Sequence, residues 1–241
     1  MAMQTIDRSP RMERAFDRMT DAYPVLPLQP GAMTFTAAGV YDKLGLLVVL
    51  AMVTGAISYF TNSSGLMILG FVAGFVLSLV GIFRPATAKI VAPLYALAEG
   101  LALGGITAYF ATGNSGIVPL AIIFTSGIFL GALVIFRSGL VKVTPKFVSL
   151  TIMASVGFLL VLLGLMFGLP VPGLSGASGL VIVGVIGVAI GILHLFIDFN
   201  YVQIGEQRRL PVDGEWYGAL ILMISLVFIY INVLRILGRR R

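Results

Sequence analysis

Apolar residues follow one another in long blocks along this chain, and the blocks are separated by short polar breaks. They cover Leu44–Phe60, Leu66–Phe83, Ile90–Ala111, Ile117–Phe136, Phe147–Leu169, Leu180–Phe199 and Trp216–Leu237. At about 1.5 Å of rise per residue, a helix over most of these blocks crosses a hydrocarbon core of about 30 Å, and the first two come close. The pattern predicts an all-α integral membrane protein with seven transmembrane helices. Residues 1–43 form a polar amino-terminal tail and residues 44–241 the membrane domain.

The breaks alternate in charge. Arg8, Arg11, Arg14, Arg18 and Lys43 precede the first block, and Arg84 and Lys89 follow the second. Arg137, Lys142 and Lys146 follow the fourth, and Arg208 and Arg209 follow the sixth. The other three breaks, Thr61–Gly65, Thr112–Gly116 and Gly168–Gly179, carry no charge. The positive-inside rule therefore predicts a cytoplasmic amino terminus in the cell's inner (plasma) membrane. Arg235, Arg239, Arg240 and Arg241 oppose this, since a full seventh crossing puts them outside and a re-entrant one does not. The upstream signals are more numerous, and the full crossing is expected.

Composition agrees with the pattern: 59% of residues are hydrophobic, 11% are charged and the mean hydropathy is +1.04, values foreign to a soluble domain. The net charge of +6 and pI near 9.8 do not indicate nucleic-acid binding, because the basic residues lie where topology and anionic lipid headgroups require them. Without cysteine, disulfides, thiolate catalysis and cysteine-bound metal centres are excluded. The first forty residues contain no apolar core of a signal peptide, so no cleaved leader is expected.

Small residues recur at helical spacing, as at Gly184, Gly187 and Gly191 and at Gly100 and Gly104, and are expected to let helix backbones approach. Thr61-Asn-Ser-Ser-Gly65 with Ile82-Phe-Arg84 is echoed by Thr112-Gly-Asn-Ser-Gly116 with Ile135-Phe-Arg137. The echo reads either as a repeated helical hairpin or as topology demanding the same turns twice.

Candidate chemistry rests on two acids, because only Glu99 and Asp198 fall inside the apolar blocks. A carboxylate near a helix centre in lipid costs roughly 2.5 kcal/mol or more, so such groups usually face a bundle interior, a watery cavity or a partner. Glu99 lies about 15 Å along its helix from Lys89, too deep to snorkel, and is expected to be neutral or paired with Arg84, Arg235 or a bound ion. His194 and Asp198, four residues apart, share a helical face and are expected to share a proton or a cation site. Catalysis has little material: there is no HExxH, His194 is the only histidine, and the serines of Gly173-Leu-Ser-Gly-Ala-Ser-Gly179 lie in an outside loop. The last block contains no lysine for a retinal Schiff base. No enzymatic activity and no cofactor are expected.

Several stretches in order resemble the Bax inhibitor-1 family, in particular its bacterial branch. They are Tyr95-Ala-Leu-Ala-Glu-Gly100 with Leu103-Gly104, Val143-Thr-Pro-Lys-Phe147, Asp198-Phe-Asn200 with Gly205, and Glu215-Trp-Tyr217 leading to Leu234-Arg-Ile-Leu237. The resemblance implies seven helices with the last near the centre of two three-helix layers, and a pH-sensitive Ca²⁺ leak governed by two interacting acids on the sixth and seventh helices. Asp198 matches the first acid. At the expected place of the second, Ile229-Tyr-Ile231 is followed by Asn232, and no carboxylate lies between Glu215 and the carboxy terminus. On this reading Asp198 closes a cytoplasmic-side gate with hydrogen bonds from Asn232, His194 or an arginine, while Glu99 lines the ion path. The expected partners are the lipid bilayer and Ca²⁺, the latter as permeating ion on a weak site formed by Asp198 and Glu99. The alternative is a non-conducting regulator that binds another membrane protein, such as a membrane protease, through its tail, where Met12–Met19 can form a short amphipathic helix.

Overall fold

The structure, a computed structural model, describes residues 34–111, 116–169, 174 and 176–238. The tail segment Met12–Met19, the second uncharged turn, Ser175 and the terminal arginines at 239–241 lie outside these residues. Among the described residues, seven helices are long and apolar enough to cross a membrane: α1 (Ala37–Thr61), α2 (Ser64–Phe83), α3 (Ala88–Ala111), α4 (Ile117–Arg137), α5 (Pro145–Met166), α6 (Gly176–Gln207) and α7 (Gly214–Leu237). A single 3₁₀ turn, Pro85–Thr87, joins α2 to α3.

Their ends follow local chemistry. Thr36 caps α1 by accepting from the Gly39 N–H, Ser63 caps α2 through the Leu66 N–H, and Thr144 caps α5 through the Phe147 N–H with Pro145 in the first turn. Asn62 ends α1 in a left-handed conformation (φ 47°), which asparagine adopts more readily than most residues.

The helices form two sets of three. α3 packs between α1 and α2, and α6 packs against both α4 and α5. α7 touches α1, α2, α3, α4 and α6, and its buried residues run from Gly214 to Leu234, so it is the central element. Its 24 residues form one continuous helix of about 36 Å, long enough for a full crossing. Exposed Phe71, Val72, Phe75 and Val76 on α2 and Leu150, Met153, Leu159 and Leu160 on α5 give these outer helices lipid-type surfaces.

The glycine stripes make the close contacts. A Cβ on Gly100 or Gly104 would collide with α1 at Ala51, Thr54, Gly55 and Ser58. One on Gly184, Gly187 or Gly191 would collide with α7 at Ile236, Asn232 and Ile229. The echoed sequences head helices in unlike settings, since α2 packs mainly on α3 whereas α4 packs on α6 and α7.

Two boundaries differ from the apolar blocks and matter for the site. α1 begins at Ala37, seven residues before its block, and α6 continues eight residues past Phe199 to Gln207. In that extension Tyr201, Val202, Ile204 and Gly205 are buried while Glu206 and Gln207 are exposed, so it is a packed amphipathic helix end and not a loop.

Candidate functional site

Asp198 lies nine residues before the end of α6, about 13 Å from the end of the bundle that carries the basic loops. It is 7% exposed, and the Ser225 hydroxyl of α7 donates to its Oδ2 at 2.5 Å. Ser225 is eleven residues into α7, about 16 Å from the same end, so the two groups are level. Toward the basic end the site has an aromatic floor. Tyr201 and Tyr217 stack edge to face at 5.3 Å, and the Phe35 ring meets Tyr201 at 6.3 Å.

The other expected partners of Asp198 go elsewhere. The Asn232 amide donates to the Phe228 carbonyl at 2.8 Å, and its Oδ1 accepts from Arg235 Nη1 at 2.7 Å. Asn232 is 1% exposed against Gly187, two turns of α7 beyond Ser225. The expected contact with Asp198 is corrected to Ser225: the extension of α6 carries Asp198 only about 13 Å from the connection, level with Ser225, whereas Asn232 is about 27 Å into α7. His194 also turns away. The Ser155 hydroxyl on α5 lies 2.8 Å from His194 Nε2 and 2.8 Å from the Thr151 carbonyl, within hydrogen-bonding distance of both. Asp198 thus binds α6 to α7, and His194 binds α6 to α5.

Glu99 is 9% exposed and meets a different helix. Its carboxyl lies against Gly74 of α2, where a Cβ would collide with Oε2. It makes no hydrogen bond or ion pair among the described residues. Arg84 is exposed at the end of α2 and Arg235 is engaged with Asn232, so neither expected charge partner reaches either acid. The two acids do not converge on one site.

The acid that sequence reasoning missed is Glu215, 3% exposed in the first turn of α7. Its Oε1 accepts from the Thr36 N–H at 2.8 Å and from the Thr36 hydroxyl at 3.0 Å, and its Oε2 meets Lys43 Nζ at 2.5 Å. Lys43 also lies 5.5 Å over the Trp216 ring, a cation–π distance. Glu206 accepts from the Ala37 N–H at 3.0 Å, so two carboxylates face the amino terminus of α1, where free N–H groups favour them. The Phe35 N–H donates to the Leu210 carbonyl at 2.8 Å, and its side chain, 1% exposed, packs over Gly205, where a Cβ would crowd its ring. Residues 34–36 therefore lie across the α6–α7 loop, beneath the aromatic floor. An acid just ahead of an apolar run reads as a solvated first turn, and only the fold brings Lys43 to it.

A helical bundle wrapped around its last helix, with a buried acid on α6 bonded to that helix, defines a polytopic membrane protein with a buried ionisable site between helices. Over residues 4–241 the sequence matches the family model described as Bax inhibitor 1 like, and the chain belongs to that family. No curated protein matches it in sequence.

Proposed function

We propose that the protein is a Ca²⁺ leak of the Bax inhibitor-1 type, in which Asp198 is the pH-sensing gate between α6 and α7. The single observation that carries this reading is the buried Asp198 carboxyl bonded across to Ser225. A carboxyl in this position costs stability that the bundle would recover with an apolar residue, and intramembrane acids of this kind mark ion or proton routes. The bond closes the α6–α7 interface. A hard cation passing the site would replace the Ser225 hydroxyl on the carboxylate with its own oxygen-seeking charge. One carboxylate with hydroxyls makes a weak site, which suits passage, because an ion that must leave cannot be held tightly.

The departure from paired acids has a chemical consequence. Two close carboxyls share a proton and titrate as a coupled pair, whereas serine has no proton to exchange in this range, so Asp198 titrates alone. The floor of Phe35, Tyr201 and Tyr217 closes the basic end, taken as cytoplasmic from the charge pattern, and has to part for an ion to reach that side.

The test is Ca²⁺ entry into liposomes carrying the full chain, compared with Asp198→Asn, between about pH 6 and 8. Flux that varies with pH in the wild type and loses that variation in Asp198→Asn supports the gate. No flux at any pH from correctly folded protein overturns it and leaves the regulator reading, which pull-down with and without residues 1–33 then examines.

A further inference from the structure

The proposed gate leaves Glu99 without a role, and its setting differs from that of every other described acid. Glu215 has three polar contacts to Thr36 and Lys43, Asp198 has Ser225, Glu206 has the Ala37 N–H, and Asp213 pairs with Lys89 at 3.4 Å. Asp42 stands near the start of α1, far from the middle of the bundle. Glu99 alone among the deeply buried acids has no hydrogen-bonding partner. It lies eleven residues into α3, about 16 Å from one end of that helix and about 18 Å from the other.

What covers it is equally specific. α2 contains no titratable residue, and it meets α3 through Gly70 against Ala98 and Ala102 and through Gly74 against Glu99. No side-chain hydrogen bond or ion pair ties α2 to the rest of the bundle among the described residues, since its serines bond within or at the start of their own helix. Its outer face, with Phe71, Val72, Phe75 and Val76 more than half exposed, is a lipid surface. Glu99 is therefore one helix away from hydrocarbon, behind an α2–α3 contact made by close packing and not by side-chain hydrogen bonds, at a place where Gly74 leaves room for its carboxyl.

On α3 itself, Tyr95 is buried one turn below and close enough to interact electrostatically with Glu99, while Lys89 and Tyr109 occupy the end turns of that helix. On α1, Tyr41, Asp42, Lys43 and Tyr59 occupy the end turns, and on α4, Arg137 ends the helix. On α7, Glu215 and Tyr217 are in the first turns, Tyr230 bonds to Thr107 at 3.0 Å and Arg235 to Asn232. A buried carboxylate with no cation and no hydrogen-bond donor among the described residues is the costliest form of this side chain, and the carboxylic acid is the cheapest.

We propose that Glu99 is a proton-carrying site of its own, reached from the lipid between α2 and α3 and separate from Asp198, and that it is a modification site for lipophilic carboxyl reagents. The chemistry is that of a carbodiimide. The carboxyl proton passes to one nitrogen of the reagent while the carboxyl oxygen bonds to its central carbon, giving an O-acylisourea. With little water to hydrolyse it, the acyl group moves from oxygen to nitrogen and leaves a stable N-acylurea. Nothing departs, so the protein gains the mass of the whole reagent.

The experiment treats the full chain in lipid nanodiscs with dicyclohexylcarbodiimide and, in parallel, with a water-soluble carbodiimide plus an amine, and maps the products by peptide mass spectrometry. The expected result is an N-acylurea on Glu99 with the lipophilic reagent only, while Asp213 and Glu206 react with the water-soluble one. Gly74→Ala, which fills the space beside Oε2, is expected to slow labelling of Glu99 without changing that of Asp213. Absence of a Glu99 adduct, or equal labelling by both reagents, overturns the proposal. The readout on wild-type protein needs neither a folded variant nor any Ca²⁺ flux, so its outcome is independent of whether the chain conducts.

Discussion

Replacing Glu215 by glutamine tests whether the tie between the start of α1 and the start of α7 holds the bundle together. The substitution keeps the shape and the Thr36 contacts in part, but removes the negative charge that meets Lys43 at 2.5 Å. The Glu215 side chain is 4% exposed and that of Lys43 is 21% exposed. Breaking a buried ion pair by removing one partner costs about 3–5 kcal/mol, and the partial exposure of Lys43 puts this pair at the lower end, about 3 kcal/mol. At about 2–4 °C per kcal/mol for a chain of this size, the unfolding midpoint should fall by roughly 6–12 °C. Trp216, the only tryptophan, lies under Lys43, so its emission during heating in detergent reads the tie directly. Asp213→Asn is the control, because its pair with Lys89 is exposed on both sides and such pairs contribute less than about 1 kcal/mol. A Glu215→Gln midpoint indistinguishable from that of Asp213→Asn would refute the reasoning.

Removing residues 1–33 should leave the midpoint nearly unchanged, whereas removing 1–36 should lower it strongly. The longer cut takes Phe35, whose loss from a packed interior alone costs about 3–5 kcal/mol, and calorimetry or scattering on heating distinguishes the two. Gly100→Val should destabilise the α1–α3 contact by about 1–3 kcal/mol through collision with Ala51 and Thr54, read as a lower midpoint. Ser225→Asp should place two carboxyls side by side and turn a one-step dependence of flux on pH into a two-step one, measured in liposomes.

The spans were legible because lipid leaves little choice: apolar blocks of this length give helices, and all six helix ends that border the uncharged breaks fall within four residues of the block limits. The extension of α6 was obscured because Asn200–Gln207 mixes Asn, Gln, Glu and Gly with apolar residues, although Asp198, Tyr201, Val202 and Gly205 already fall on one helical face. That boundary controls the site. With α6 ending at Gln207 and α7 starting at Gly214, residues about equally far from the short connection face each other, which brings Ser225 and not Asn232 to Asp198. The family resemblance was legible from the order of short motifs, and the match over residues 4–241 bears it out. The tie from Phe35, Thr36 and Lys43 to Glu215 was not, because its partners are more than 170 residues apart and nothing local marks them as a pair.

The most direct measurement of the central claim is the steepness of Ca²⁺ flux against pH for the full wild-type chain in liposomes. A lone acid gated by a serine predicts a profile described by one protonation, flattened when Asp198 becomes asparagine. A profile that needs two coupled protons, or one that survives Asp198→Asn unchanged, would contradict it.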